Sequence, residues 1–166
     1  MDRVGEVERM AADATAGIAR QAGTWTPARI FMAASAVVHV PLAIIGLAMG
    51  QSFHLGAHAV EHGGSEHIFG ILESNGWHSL GALLVGVVSL YFAVRPEHAR
   101  VAALALGASH VILFLALTFW EPSTFGLMSN GADQIVHAST AIGGIGSALL
   151  TSRPRIPAHT MLTNES

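Results

Sequence analysis

The amino-acid sequence predicts an all-α protein, a four-helix transmembrane bundle with both termini on the cytoplasmic side. Three observations carry that prediction. Of 166 residues, 51% are hydrophobic and only 11% charged, with a mean hydropathy of +0.50, whereas a soluble domain carries about 25% charged residues to cover its water-facing surface. Four segments, residues 30–49, 77–94, 99–120 and 134–150, are apolar over most or all of the roughly 20 residues that cross a bilayer. All eight arginines fall on one side of the alternating topology these segments define: Arg3, Arg9, Arg20 and Arg29, then Arg95 and Arg100, then Arg153 and Arg155. The positive-inside rule therefore makes the chain a multi-pass protein of the plasma (inner) membrane, N-in and C-in.

Residues 1–27 form a cytoplasmic segment in which Val4, Val7, Met10 with Ala11, Ala14 and Ile18 recur at helical spacing. Such an amphipathic helix lies on the membrane face or against a partner. The transmembrane domain runs over residues 28–152. In its first span Pro41 removes a backbone donor, which predicts a bend near Val37 to Pro41. An outer loop, about residues 50–76 and partly helical, precedes the second span. Short-sided contacts are predicted at Ala82 and Gly86 in that span, at Ala103 and Gly107 in the third, and at Ser139, Gly143 and Ser147 with Gly144 and Ala148 in the fourth, because lipid gives helices no hydrophobic reason to associate and small residues let backbones approach. Trp25, Trp77, Tyr91 and Trp120 sit near span ends, where amphipathic rings favour the headgroup layer. Residues 153–166 form a polar cytoplasmic tail.

Spans one and two resemble spans three and four. Ala-Ser-Ala-Val-Val-His-Val at 34–40 aligns with Ala-Leu-Gly-Ala-Ser-His-Val at 105–111, and Glu73-Ser-Asn-Gly-Trp-His78 with the run from Met128 through Ser-Asn-Gly to His137. The copies would be two helical hairpins in a 2+2 repeat about an axis along the membrane normal. The run Gly70-Ile-Leu-Glu-Ser-Asn75, then His78, Arg95-Pro-Glu-His-Ala-Arg100 and Asn130-Gly-Ala-Asp-Gln-Ile-Val-His137 also resembles a family of four-helix integral membrane proteins, common in actinobacteria and known only as a domain of unknown function. The similarity spans about residues 30–150 and implies fold and topology but no activity. Where the family shows two histidines at the junction into the second helix, this chain has His78 followed by Ser79, Leu80 and Gly81, and residues 54–67 look like an insertion of its own.

With no cysteine and no lysine, the chain excludes disulfides, zinc–thiolate sites, iron–sulfur clusters and cysteine nucleophiles; a net charge of −3 without a basic cluster excludes nucleic-acid binding. Chemistry is left to ten histidines. His39 and His110 sit mid-span, about nine and eleven residues from the cytoplasmic ends, hence at matching depth at ~1.5 Å per residue. His78 and His137 make a second layer roughly 15 Å farther out, at helix starts where Asn75 and Asp133 are good N-caps. Stacked pairs suit haem b or a metal between imidazoles; the plainer alternative is a hydrogen bond to Ser35 or Ser109.

In the outer loop His54, His58 and His62 recur every four residues before Gly63-Gly64, with Glu66 and His67 beyond. Two of the three could clamp Zn²⁺ or Cu²⁺ on one helix face, the further ligand coming from Glu61, Glu66, His67, His78, Asp133 or His137. A solvated loop titrating with external pH is the alternative. His58-x-x-Glu61-His62 matches an inverted zinc-peptidase string, but the loop has no room for a protease domain. No phosphate loop or nucleophile elbow is present. The sequence thus predicts a small non-catalytic membrane protein, an accessory or scaffold subunit that self-associates or joins a larger membrane complex. Its alternative is a histidine-based transition-metal or haem b protein with an outward site; a transporter or channel comes third.

Overall fold

The computed structural model describes residues 3–51, 53, 66–119 and 129–151. They form five α-helices and one small hairpin: α1 (Arg3–Gly23), α2 (Pro27–Ala48), β1 (Glu66–Ile68), β2 (Leu72–Ser74), α3 (Gly76–Ala93), α4 (Pro96–Phe119) and α5 (Gly131–Leu150). The described residues are all-α apart from that hairpin. His54, His58, Glu61 and His62, Trp120 and the tail lie outside the described residues.

Helices start where the side chains dictate. Thr26 caps α2, its hydroxyl accepting the Arg29 N–H at 3.3 Å ahead of Pro27, a residue suited to the first turn because its missing N–H would have no partner there. Asn75 caps α3 through the His78 N–H. Asn130, and not Asp133, caps α5: Asp133 stands three residues on and closes a capping box by accepting the Asn130 N–H at 3.0 Å. The helix α2 runs on through Pro41 without ending.

Helices α2, α3 and α4 are long and apolar enough to cross a membrane, spanning about 33, 27 and 36 Å at ~1.5 Å per residue. Helix α5 is not among them: Asp133, Gln134, His137, Ser139, Thr140, Ser147 and four glycines dilute its apolar content. Large apolar side chains point outward, Val37 at 73% exposed and Ile142 at 74%, while the interior is built of Ala28, Met32, Ala93, Ala99, Ala103 and Ala148. That inside-out distribution suits a lipid surround, where nothing is gained by hiding Val or Ile from solvent.

Packing is dense within two pairs, α2 with α3 and α4 with α5, and much sparser between them, α3 meeting α4 only lightly. The α4–α5 approach depends on facing glycines. A Cβ on Gly144 would meet the Ala103 carbonyl oxygen at 2.7 Å and Gly107 Cα at 2.8 Å. The buried stripe of α5 is accordingly His137, Thr140, Ala141, Gly144 and Ala148; of the face read from the sequence, Gly144 and Ala148 are buried, Ser139 is exposed, and Gly143 and Ser147 are half-buried.

One end of the molecule holds Arg29 and Arg100. Arg29 Nε donates to the Ala93 carbonyl at 3.0 Å and Nη1 to that of Thr24, with Trp25 beneath the guanidinium; Arg100 Nε donates to the Ala148 carbonyl at 3.0 Å. Each arginine thus satisfies a carbonyl in the last turn of its partner helix, groups that a helix end leaves unpaired. Helix α1 precedes this end with Val7 and Met10 exposed.

The opposite end carries the hairpin, which the sequence reading did not foresee. Strands pair Glu66 with Ser74, His67 with Glu73 and Ile68 with Leu72. The turn puts both Phe69 and Gly70 at positive φ, a geometry that glycine adopts freely and phenylalanine does not, so only Gly70 could have signalled it.

Candidate functional site

Four imidazoles, one from each of α2 to α5, come together beneath the hairpin. His39 and His110 pack edge to face with ring centroids 5.9 Å apart, His110 and His137 lie at 5.4 Å, and His137 stacks on His78 at 6.0 Å. The pairing of His39 with His110 and of His78 with His137 read from the sequence is present. The separation of the pairs by roughly 15 Å is not. The capping box starts α5 at Gly131, which carries His137 about 9 Å into the helix at ~1.5 Å per residue and down to the level of His110.

The first two rings are oriented alike. His39 Nδ1 donates to the Ser35 carbonyl at 2.8 Å and His110 Nδ1 to the Leu106 carbonyl at 3.0 Å, each one turn back on its own helix. A carbonyl only accepts, so Nδ1 holds the proton and Nε2 of each neutral ring is a lone-pair acceptor. Serines support them: Ser35 Oγ lies 3.3 Å from His39 Nδ1 and shares a hydrogen bond of 3.1 Å with Ser89 Oγ, and Ser109 Oγ lies 3.5 Å from His110 Nδ1. His137 is different. It is 8% exposed, and its Nδ1 is the one buried side-chain polar atom among the described residues that finds no partner.

These rings line a cavity of about 220 Å³ whose wall is otherwise mostly apolar, with Leu42, Val85, Leu113, Leu117 and Val136 around them and Ile68, Leu72 and Ser74 of the hairpin above. Asp133 lines it too, its Oδ2 accepting the Asn130 N–H at 3.0 Å and the Glu73 N–H at 3.1 Å, which ties β2 to the start of α5. Asp133 lies ahead of residue 134, where the fourth apolar segment begins. Burial pushes its carboxyl above the ordinary aspartate range, against the Asn130 N–H, the His78 ring and the Glu73 N–H, which favour the charged form. A second tether is Asn130 Nδ2 donating to the Ile71 carbonyl at 2.7 Å. The third is buried Gln51, which accepts from Ser79 Oγ at 2.6 Å and donates to the Ser74 carbonyl at 3.2 Å.

Of the site residues read from the sequence, the structure unites His39, His110, His78, His137 and Asp133 at one cavity. His67 is exposed on β1, and the Glu66 side chain, like His54, His58, Glu61 and His62, lies outside what is described. Among the described residues no three His, Asp or Glu side chains are disposed to hold a metal ion. The cavity is also smaller than the roughly 300–1,000 Å³ of ordinary ligand pockets, far short of a haem macrocycle. Gln51, Ser74 and Ser79 escaped the sequence reading, and so did the Ser35–Ser89 bond; a serine inside an apolar span was the available signal.

The apolar, outward-facing helices make this a membrane protein. The chain belongs to the family described as domain of unknown function DUF4383, whose profile matches residues 29–150, from the buried arginine of α2 to the last residue of α5. No curated protein and no solved structure matches it.

Proposed function

We propose that the protein is a small, non-catalytic, multi-pass protein of the plasma membrane that binds a small ligand among the four imidazoles. In this reading α2 to α5 form a four-helix transmembrane bundle, with α5 as the fourth span and the arginine end in the cytoplasm. Two things support that topology. Helix α5 packs along α4 over its length, and every described span-flanking arginine sits at one end, opposite the hairpin.

The 2+2 repeat is part of the proposal. A spacing of 71 residues relates Arg29 to Arg100 and His39 to His110, and one of 55 relates Asn75 to Asn130 and Ala93 to Ala148; within each pair the hydrogen-bonding roles agree. The second-layer histidines break it, since His78 corresponds to Asp133 under that spacing and His137 to Ala82.

The observation that carries the ligand reading is the imidazole cluster itself. Ionisable side chains at membrane depth are costly and mark functional pathways and sites, and a buried ring nitrogen without a partner costs about 1–3 kcal/mol that a bound ligand would recover. Native mass spectrometry of protein extracted from its own membrane tests this. A bound small molecule is expected, lost in His110→Leu and His137→Leu; bare protein whose thermal stability these variants leave unchanged would refute it.

A second reading, assembly with another subunit, is favoured by α1, which among the described residues makes no substantial packing with the other helices and keeps Val7 and Met10 exposed. Blue-native electrophoresis that yields only the monomer would remove it.

A further inference from the structure

Resting on the ligand reading above, we infer that the cavity takes a lipophilic aromatic hydroxyl donor, a phenol or hydroquinone ring, which arrives from within the bilayer between α3 and α4.

The donor requirement follows from the polar groups. Nε2 of His39 and of His110 are acceptors in the neutral rings, and among the described residues neither makes a hydrogen bond. His137 Nδ1 is unpartnered at 8% exposure and accepts when the ring holds its proton on Nε2, and Asp133 adds carboxylate oxygen. Among the described residues no arginine lines the cavity, so none of them would neutralise an anion there. A metal cation would need three ligands held together, and the described residues do not hold three. What remains is a neutral molecule that donates. An aromatic hydroxyl, with a pKa near 10, donates more strongly than an alkanol. About 220 Å³ admits a single ring and excludes a fused sterol.

The route follows from packing. On the aqueous side the hairpin closes the cavity, held by Asp133, Asn130 and Gln51. On the lipid side α3 and α4 barely touch. At Gly81 the cavity meets an apolar groove on the outside of α3, lined by Trp77, Leu80, Leu83, Leu84 and Val87, and a Cβ there would meet nothing within 4 Å. Gly81 is therefore a gap in the wall through which a ring could pass while its alkyl tail stays in lipid.

The test is binding of decylhydroquinone to the full-length protein in lipid nanodiscs under reducing conditions, followed by NMR of ¹⁵N-histidine. Nε2 of His39 and His110 should shift on binding. The dimethyl ether of the same molecule, which lacks donors and carries two further methyl groups, should bind at least tenfold more weakly, because it leaves the imidazole acceptors unpaired. Gly81→Leu should slow or abolish binding, with Gly81→Ala as a milder variant that folds as the wild type does. Equal binding of the ether, or binding indifferent to Gly81→Leu, would overturn the inference. Histidine-dependent binding of Zn²⁺ in its place would overturn the inference and keep the ligand reading. If no probe binds and native extracts carry no ligand, both fall.

Discussion

The pair α2–α3 and the pair α4–α5 are clasped alike at the arginine end and differ at the other. In each, a guanidinium from the first helix holds a carbonyl of the second helix's last turn, and a mid-helix histidine bonds its own backbone one turn back. At the hairpin end, α3 begins under Gln51 and Ser74, whereas α5 begins with a capping box whose aspartate reaches the hairpin strand. The common half is structural: it satisfies helix ends that would otherwise be orphaned in lipid. The divergent half encloses the cavity, where α5 brings His137 to 5.4 Å from His110.

The largest effect should come from the close approach of α4 and α5. Gly144→Leu would drive α4 and α5 apart against backbone, costing about 3 kcal/mol, measurable as thermal unfolding in detergent, whereas Gly81→Ala, facing open space, should leave the transition unmoved. Equal effects would mean the α4–α5 contact is not as close as described. Next, the clasps differ in degree: Arg29 is buried and bonds two carbonyls, Arg100 is half-buried and bonds one. Arg29→Ala should cost about 2 kcal/mol and Arg100→Ala less; a reversed order would break the comparison of the two clasps.

A smaller, local effect is expected at the hairpin. Asp133→Ala removes the acceptor for the Asn130 and Glu73 N–H groups, at a cost of about 1.5 kcal/mol. Amide exchange should accelerate at Glu73, with His78→Ala leaving that amide protected. The smallest concerns α1. Met10→Asp, on an exposed position, should change stability by less than about 0.5 kcal/mol while speeding amide exchange in α1 of the full chain in nanodiscs; unchanged exchange would separate α1 from the membrane surface.

What the sequence disclosed was whatever has a period or a sign. The apolar segments gave α2, α3 and α4, the arginines gave one common end, and His39 with His110 followed from matching depth. What it concealed depended on a few ångströms of helix register. Reading Asp133 as the cap, instead of Asn130, left His137 near the surface and split one cluster into two layers. On α5 the reading caught Gly144 and Ala148 but added Ser139, Gly143 and Ser147, because size alone does not say which small residue meets Gly107. The hairpin was hidden because Phe69 occupies a backbone conformation that its side chain disfavours.

The claim on which all of this rests is that imidazoles from both helix pairs share one cavity, and the absence of native cysteine makes it directly testable. Cysteine pairs replacing His39 with His110, His78 with His137, and His110 with His137 can be treated in membranes with a short bifunctional thiol reagent. All three pairs should cross-link, matching ring separations of 5.9, 6.0 and 5.4 Å. Cross-links in the first two and none between positions 110 and 137 would mean two separate layers with no common cavity, and would contradict the account.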